Sequence, residues 1–184
     1  MTMIRYQFFV FLLLCIFSFS CKNKTQSETA SQYADSIILL QSKMMKQMDT
    51  LFQASFFDDF VLGDFYVKAV NKNKECISKL DKIKYFHDNK ELYNASQSFF
   101  MTVDHVLKNE APKLLKLKQK MTIEKSPILQ DELDAILLQS ARKITESQIH
   151  FDSVLTVFLG EYGCDVEMDT NAVSHYKKES LIHK

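Results

Sequence analysis

Apolar residues recur every three or four positions along most of this chain, in four separate stretches. The first stripe is Tyr33, Ile37, Leu40, Met44, Met48, Leu51 and Ser55. Thr29 and Gln32 stand at capping-box spacing just ahead of it, which predicts a helix start there. Gly63 followed by Asp64 predicts a stop and a fresh N-cap. The second stripe is Tyr66, Val70, Asn73, Ile77 and Leu80, continuing to Ile83 or Lys84 and ending near Phe86-His87. Asp88, with Glu91 three residues on, predicts the next cap. The third stripe is Leu92, Ala95, Phe99, Val103, Val106, Glu110, Leu114, Leu117 and Met121. Pro112 lies inside it and predicts a bend or break one turn back, at Lys108, because its ring clashes with that carbonyl. Ser126-Pro127 opens the fourth helix, a serine cap with proline at the first helical position. Its stripe runs from Leu129 through Leu133, Ile136, Leu137, Ala141, Ile144, Gln148, Phe151, Leu155 and Phe158 to Tyr162, with Gly160 and Gly163 closing it.

Four amphipathic helices with short connections bury their stripes most simply against one another. The expected fold is all-α: an antiparallel four-helix bundle over residues 33–163, up-down-up-down, with a kinked third helix. Composition agrees. Three Gly, two Pro and no Trp leave too few turn formers for a β fold. The segment FFDDFVLGDFY, residues 56–66, either lengthens the first helix or folds over one end of the bundle. Residues 164–184 are polar with few apolar anchors, and a mobile or loosely docked tail is expected there.

The leading end follows a different pattern. Arg5 is the only charge before Lys22, and nearly every residue from Tyr6 to Ser20 is apolar. A membrane-crossing helix needs about 20 apolar residues, and this run is shorter. A positive start, a short oily core and small residues before the cut form a secretory leader. Ser18-Phe19-Ser20-Cys21 resembles the lipobox of bacterial lipoprotein signals, in the looser form common in Bacteroidota envelopes. The resemblance covers the first 21 residues. It implies cleavage after residue 20, a diacylglycerol on the Cys21 sulfur and a further acyl chain on its amine. Several chains on one residue hold a protein firmly without any spanning helix. An uncleaved N-terminal anchor and a soluble secreted product are the other readings of the segment. After Cys21, the polar stretch KNKTQSETASQ is expected to be a flexible tether, giving a lipidated cysteine and tether over residues 21–32.

Charge narrows the partners. The whole chain carries 23 basic and 23 acidic side chains. Cleavage would remove only Arg5, so no strong field remains to draw nucleic acid. With Cys21 lipidated, Cys76 and Cys164 are left to pair or to stay apart. Up-down-up-down packing sets Cys76 partway along the second helix and Cys164 past the end of the fourth, so a disulfide needs the tail to fold back.

Catalytic and metal motifs are sparse. A di-iron bundle wants Glu-x-x-His on two helices, and none of His87, His105, His150, His175 or His183 has Glu three residues earlier. Glu146 and His150 share a face as an isolated pair. The run Asp165, Glu167, Asp169, Asn171 has the alternation of a calcium loop, but Thr170 and Tyr176 stand where an EF-hand needs Gly and Glu. C-x-x-C-H, G-x-S-x-G and phosphate-binding glycine loops are absent. No cofactor and no catalytic residue is expected. Lys113, Lys116, Lys118 and Lys120 read as a solvated helix face or a membrane-surface contact. Met44, Met45 and Met48 read as core filling or an adaptable binding surface.

The aromatic residues carry the remaining signal. Phe56, Phe57, Phe60, Phe65 and Tyr66 crowd one elbow, and consecutive rings cannot all face one stripe. They either plug a bundle end or form a contact surface. The resulting expectation is a noncatalytic envelope lipoprotein, held at the outer membrane by Cys21 and facing the periplasm. It would act as an interaction or scaffold protein, with an envelope protein as a possible partner. The alternative is a periplasmic binding module or chaperone that holds an apolar or small ligand between helices.

Overall fold

A computed structural model describes the side chains of residues 26–164 and, ahead of them, only the backbone of the first helix. The side chains of the leader assigned to residues 1–20 and of Cys21, and the whole tail beyond Cys164, with His175, His183 and the Asp165–Asn171 acids, lie outside the described residues. Five helices are present: α1 (Thr2–Ala54), α2 (Asp59–Leu80), α3 (Glu91–Asn109), α4 (Ala111–Ile123) and α5 (Pro127–Glu161). Together they form an all-α bundle, with no named strand among the described residues.

Residues 22–32 are helical, where an unstructured tether was expected. Ala30 is already fully buried, and the Ser27 hydroxyl donates to the Gly163 carbonyl at 3.2 Å. No Gly or Pro interrupts α1, so nothing stops the helix from running back past the capping-box position at Thr29. The predicted stop at Gly63 is also displaced. The chain breaks between Ala54 and Asp59, and Gly63 lies in the second turn of α2. Asp58 supplies the cap expected of Asp64: its backbone is extended, and its Oδ1 accepts from Val61 N–H at 2.8 Å. At α3, Asn89 rather than Asp88 takes the capping role, with its Oδ1 accepting from Glu91 N–H at 3.0 Å.

The third stripe is divided as Pro112 requires, two residues later than expected. α3 ends at Asn109 and α4 begins at Ala111, with Pro112 in its first turn and Glu110 as the junction. Ser126 has the extended backbone of an N-cap ahead of Pro127, at the predicted position.

One continuous core runs through the bundle. α1 contributes Ala30, Ala34, Ile37, Leu40, Met44, Met48, Leu51 and Ala54; α3 contributes Phe99, Phe100 and Val103; α5 contributes Ile144, Phe151 and Phe158. Fully burying each such phenylalanine or large aliphatic stabilises the fold by about 1.5–3 kcal/mol. α1 packs mainly on α2, and α3 mainly on α5. Contact positions fall along α5 as they rise along α1: Ser27 meets Cys164, Tyr33 meets Phe158, and Gln41 Nε2 donates to Gln148 Oε1 at 3.0 Å.

Candidate functional site

The α1–α2 elbow is built by a tight turn. Ser55, Phe56 and Phe57 N–H groups each donate to the carbonyl three residues back, at 3.0–3.1 Å, and the Ser55 hydroxyl donates to the Phe52 carbonyl at 2.6 Å. Ala54, Ser55 and Leu62 are buried and fasten the turn to the core. With those three fixed inward, the phenylalanines between Ser55 and Leu62 turn outward. Phe56 is 75% exposed, Phe57 63% and Phe60 83%. Phe65 and Tyr66 instead pack against the core, with Lys68 Nζ 4.9 Å from the Phe65 ring centroid. The five elbow aromatics thus divide into three solvent-facing rings and two packed ones. Each exposed ring forgoes about 2–3 kcal/mol of burial, and clustered exposed apolar surface marks a site of contact.

The opposite end of the bundle is closed by rings. Phe86 is buried, with centroids 5.3 Å from Tyr33, 5.6 Å from Phe158 and 4.9 Å from Tyr162. The Tyr33 hydroxyl is buried, and that burial pushes its pKa up to about 12. The Phe86 backbone pulls the other way, but no hydrogen bond of good geometry forms, so the hydroxyl stays unsatisfied. Next to these rings, His87 holds a left-handed backbone with φ 51°.

A charged group sits at the α3–α4 junction. Glu110 is buried, and its Oε1 accepts from Lys143 Nζ of α5 at 2.5 Å, with His105 Nε2 at 3.7 Å. Its Oε2 has no partner. Glu110 occupies a position on an apolar stripe, and a charge there was the readable sign of a buried pair. Lys143, on α5, carried no such sign.

The remaining candidates separate in space. His105 turns to Glu110 and Asn109, Glu146 pairs with Arg142 at 2.9 Å, and His150 is exposed. No group of three potential metal ligands assembles among the described residues. Of the two outcomes open to the thiols, Cys76 and Cys164 stay apart, and both are free. Cys76 faces the Leu40 carbonyl and Cys164 faces Ser27. Those positions lie about 20 Å apart along α1 at the helical rise, against the ~7 Å limit between Cα atoms that a disulfide allows. Burial pushes the Cys76 thiol pKa up, so it stays protonated and unreactive at neutral pH. Met44 and Met48 are fully buried and Met45 partly so, which makes the methionine group core. Lys113, Lys116 and Lys120 are exposed on α4, and Lys118 is half-buried.

Comparison of the chain with protein-family models, curated proteins and solved structures finds no match. No helix among the described residues is long and apolar enough to cross a membrane.

Proposed function

We propose that this protein is a noncatalytic, lipid-anchored contact protein of a bacterial envelope. Acyl chains on Cys21 hold it at the outer membrane, facing the periplasm, and the Phe56–Phe60 elbow is its contact surface. The observation that carries this reading is the exposure of three phenylalanines in five residues, beside side chains that are fully buried. The lipobox-like Ser18-Phe19-Ser20-Cys21 supports the anchor. The same exposure favours a contact surface over the ligand-holding alternative, since Phe56, Phe57 and Phe60 face solvent rather than the space between helices.

The test is a Phe56→Ser, Phe57→Ser, Phe60→Ser variant produced in the native envelope. The variant is expected to keep its helical circular dichroism and its membrane fractionation while losing the adducts formed by chemical crosslinking in intact cells. Adducts unchanged in pattern and yield would remove the elbow from the account. A thermal shift of the wild-type protein with a panel of lipids and metabolites, retained in the triple variant, would favour a ligand held between helices.

A further inference from the structure

The elbow carries acid as well as rings. Asp58 and Asp59 stand between Phe57 and Phe60, and Asp64 follows one turn later. Asp58 caps α2 and Asp64 pairs with Lys68, while Asp59 has no ion-pair partner among the described residues. An anionic lipid surface would be repelled here, and so would a second elbow placed directly opposite.

α4 packs beside this elbow. A Cβ placed on Gly63 would stand 3.9 Å from Leu115 Cδ2. The outward face of α4 is cationic: Lys113, Lys116 and Lys120 recur at helical spacing, are exposed, and have no ion-pair partner among the described residues. The helix ends on Ile123, 92% exposed, and Ile128, also exposed, opens α5. The molecule therefore presents rings with acids on the elbow and, on the helix packed against it, lysines leading to bare aliphatic side chains.

These two patches are complementary to each other. Neighbours on one molecule cannot fold onto each other, but a copy turned about a two-fold axis can satisfy both. Its α4 lysines meet the elbow acids, its Ile123 and Ile128 meet the elbow rings, and the same contacts repeat reciprocally. Charges so arranged set register and speed encounter, while the desolvated rings supply most of the affinity. We propose that the elbow's partner is α4 of a second copy of this chain, in an isologous dimer. This rests on the reading of the elbow as a contact surface.

The experiment replaces Phe57 by the photo-crosslinking amino acid p-benzoylphenylalanine in the full chain and irradiates intact cells. A product of twice the protein's mass, with the crosslink mapping to residues 111–128, is expected. A product joined to a different protein would overturn the self-association and leave the contact reading standing. No protein adduct at all would overturn both. Charge reversal supplies a second arm. Lys116→Glu with Lys120→Glu is expected to lower the self-crosslink about fivefold or more, and adding Asp59→Lys to recover much of it. A wild-type yield from the lysine variant, or no recovery on adding Asp59→Lys, would overturn the pairing of these two faces.

Discussion

Lys143 Nζ lies 2.5 Å from Glu110 Oε1 and ties α5 to the junction where Pro112 divides α3 from α4. Glu110 is 7% exposed and Lys143 34%, so the pair stands at the edge of the core. Removing the cation alone strands a buried carboxylate. Lys143→Met is expected to destabilise the protein by about 2–3 kcal/mol, below the 3–5 typical of fully buried pairs because water reaches the lysine. Lys143→Met combined with Glu110→Met is expected to recover most of that loss. Urea unfolding of the two variants checks this, and a double variant as unstable as the single one would mean the pair is needed for more than mutual compensation.

Tyr33 stands at the closed end with its hydroxyl buried and unsatisfied. Tyr33→Phe removes a polar group that gains nothing from its burial, and is expected to leave stability unchanged or raise it by about 1 kcal/mol. The same burial gives a pH effect. With the folded pKa raised from 10 to about 12, the contribution of Tyr33 is fully present below pH 10 and is lost as pH climbs through about 12. Absorbance titration should show a phenol ionising at about 12, and that step should vanish in Tyr33→Phe.

Glu75 accepts from Lys72 at 2.6 Å and Lys79 at 2.5 Å on the solvent face of α2. Those two hydrogen bonds, followed by the charges behind them, hold its carboxyl at about 2. A lowered folded pKa means that its contribution is present above the ordinary value of 4.5 and disappears as pH falls towards 2. Carboxyl carbon NMR should find Glu75 titrating far below the ordinary value of 4.5, at about 2. In Lys72→Met with Lys79→Met it should return to the ordinary range.

Gly63 lies within α2, and a Cβ there meets Leu115 only at ordinary van der Waals distance. Gly63→Ala is therefore expected to stabilise the fold by about 0.5–1 kcal/mol, raising Tm by about 1–4 °C for a chain of this size. Gly163, at φ 63°, closes α5 in the left-handed region, and Gly163→Ala is expected to lower Tm. Calorimetry of the two variants should give shifts of opposite sign.

Periodicity made most of this architecture legible. The stripes from Ile37 to Leu51, from Leu92 to Leu117 and from Leu133 to Phe158 are the core, because a helix has only one face to bury. Pro112 and Pro127 marked their boundaries for steric reasons that hold in any context. Gly63 misled, because a glycine inside a helix costs only about 1 kcal/mol, and the packing of Leu62 and Ala69 offsets it. Asp58, hidden among consecutive aromatics, made the real cap. Which elbow rings face out was not readable: that depends on Ser55 and Leu62 turning inward, a tertiary result. The separation of Cys76 and Cys164 was legible, because up-down-up-down packing already set one partway along the second helix and the other past the end of the fourth, and both are free. Glu110 was visible on its stripe, but its partner Lys143 became apparent only when α5 crossed the α3–α4 junction.

The proposed contact role depends on an acyl anchor that would set the bundle at a membrane and leave the elbow free to make contact. Mass spectrometry of the protein isolated from its own envelope tests that most directly. The predicted result is a chain beginning at Cys21, heavier than the unmodified polypeptide by a diacylglycerol thioether and an amide-linked acyl group. A chain that still carries residues 1–20, or one that begins at Cys21 with a free thiol and no fatty acid, would contradict it.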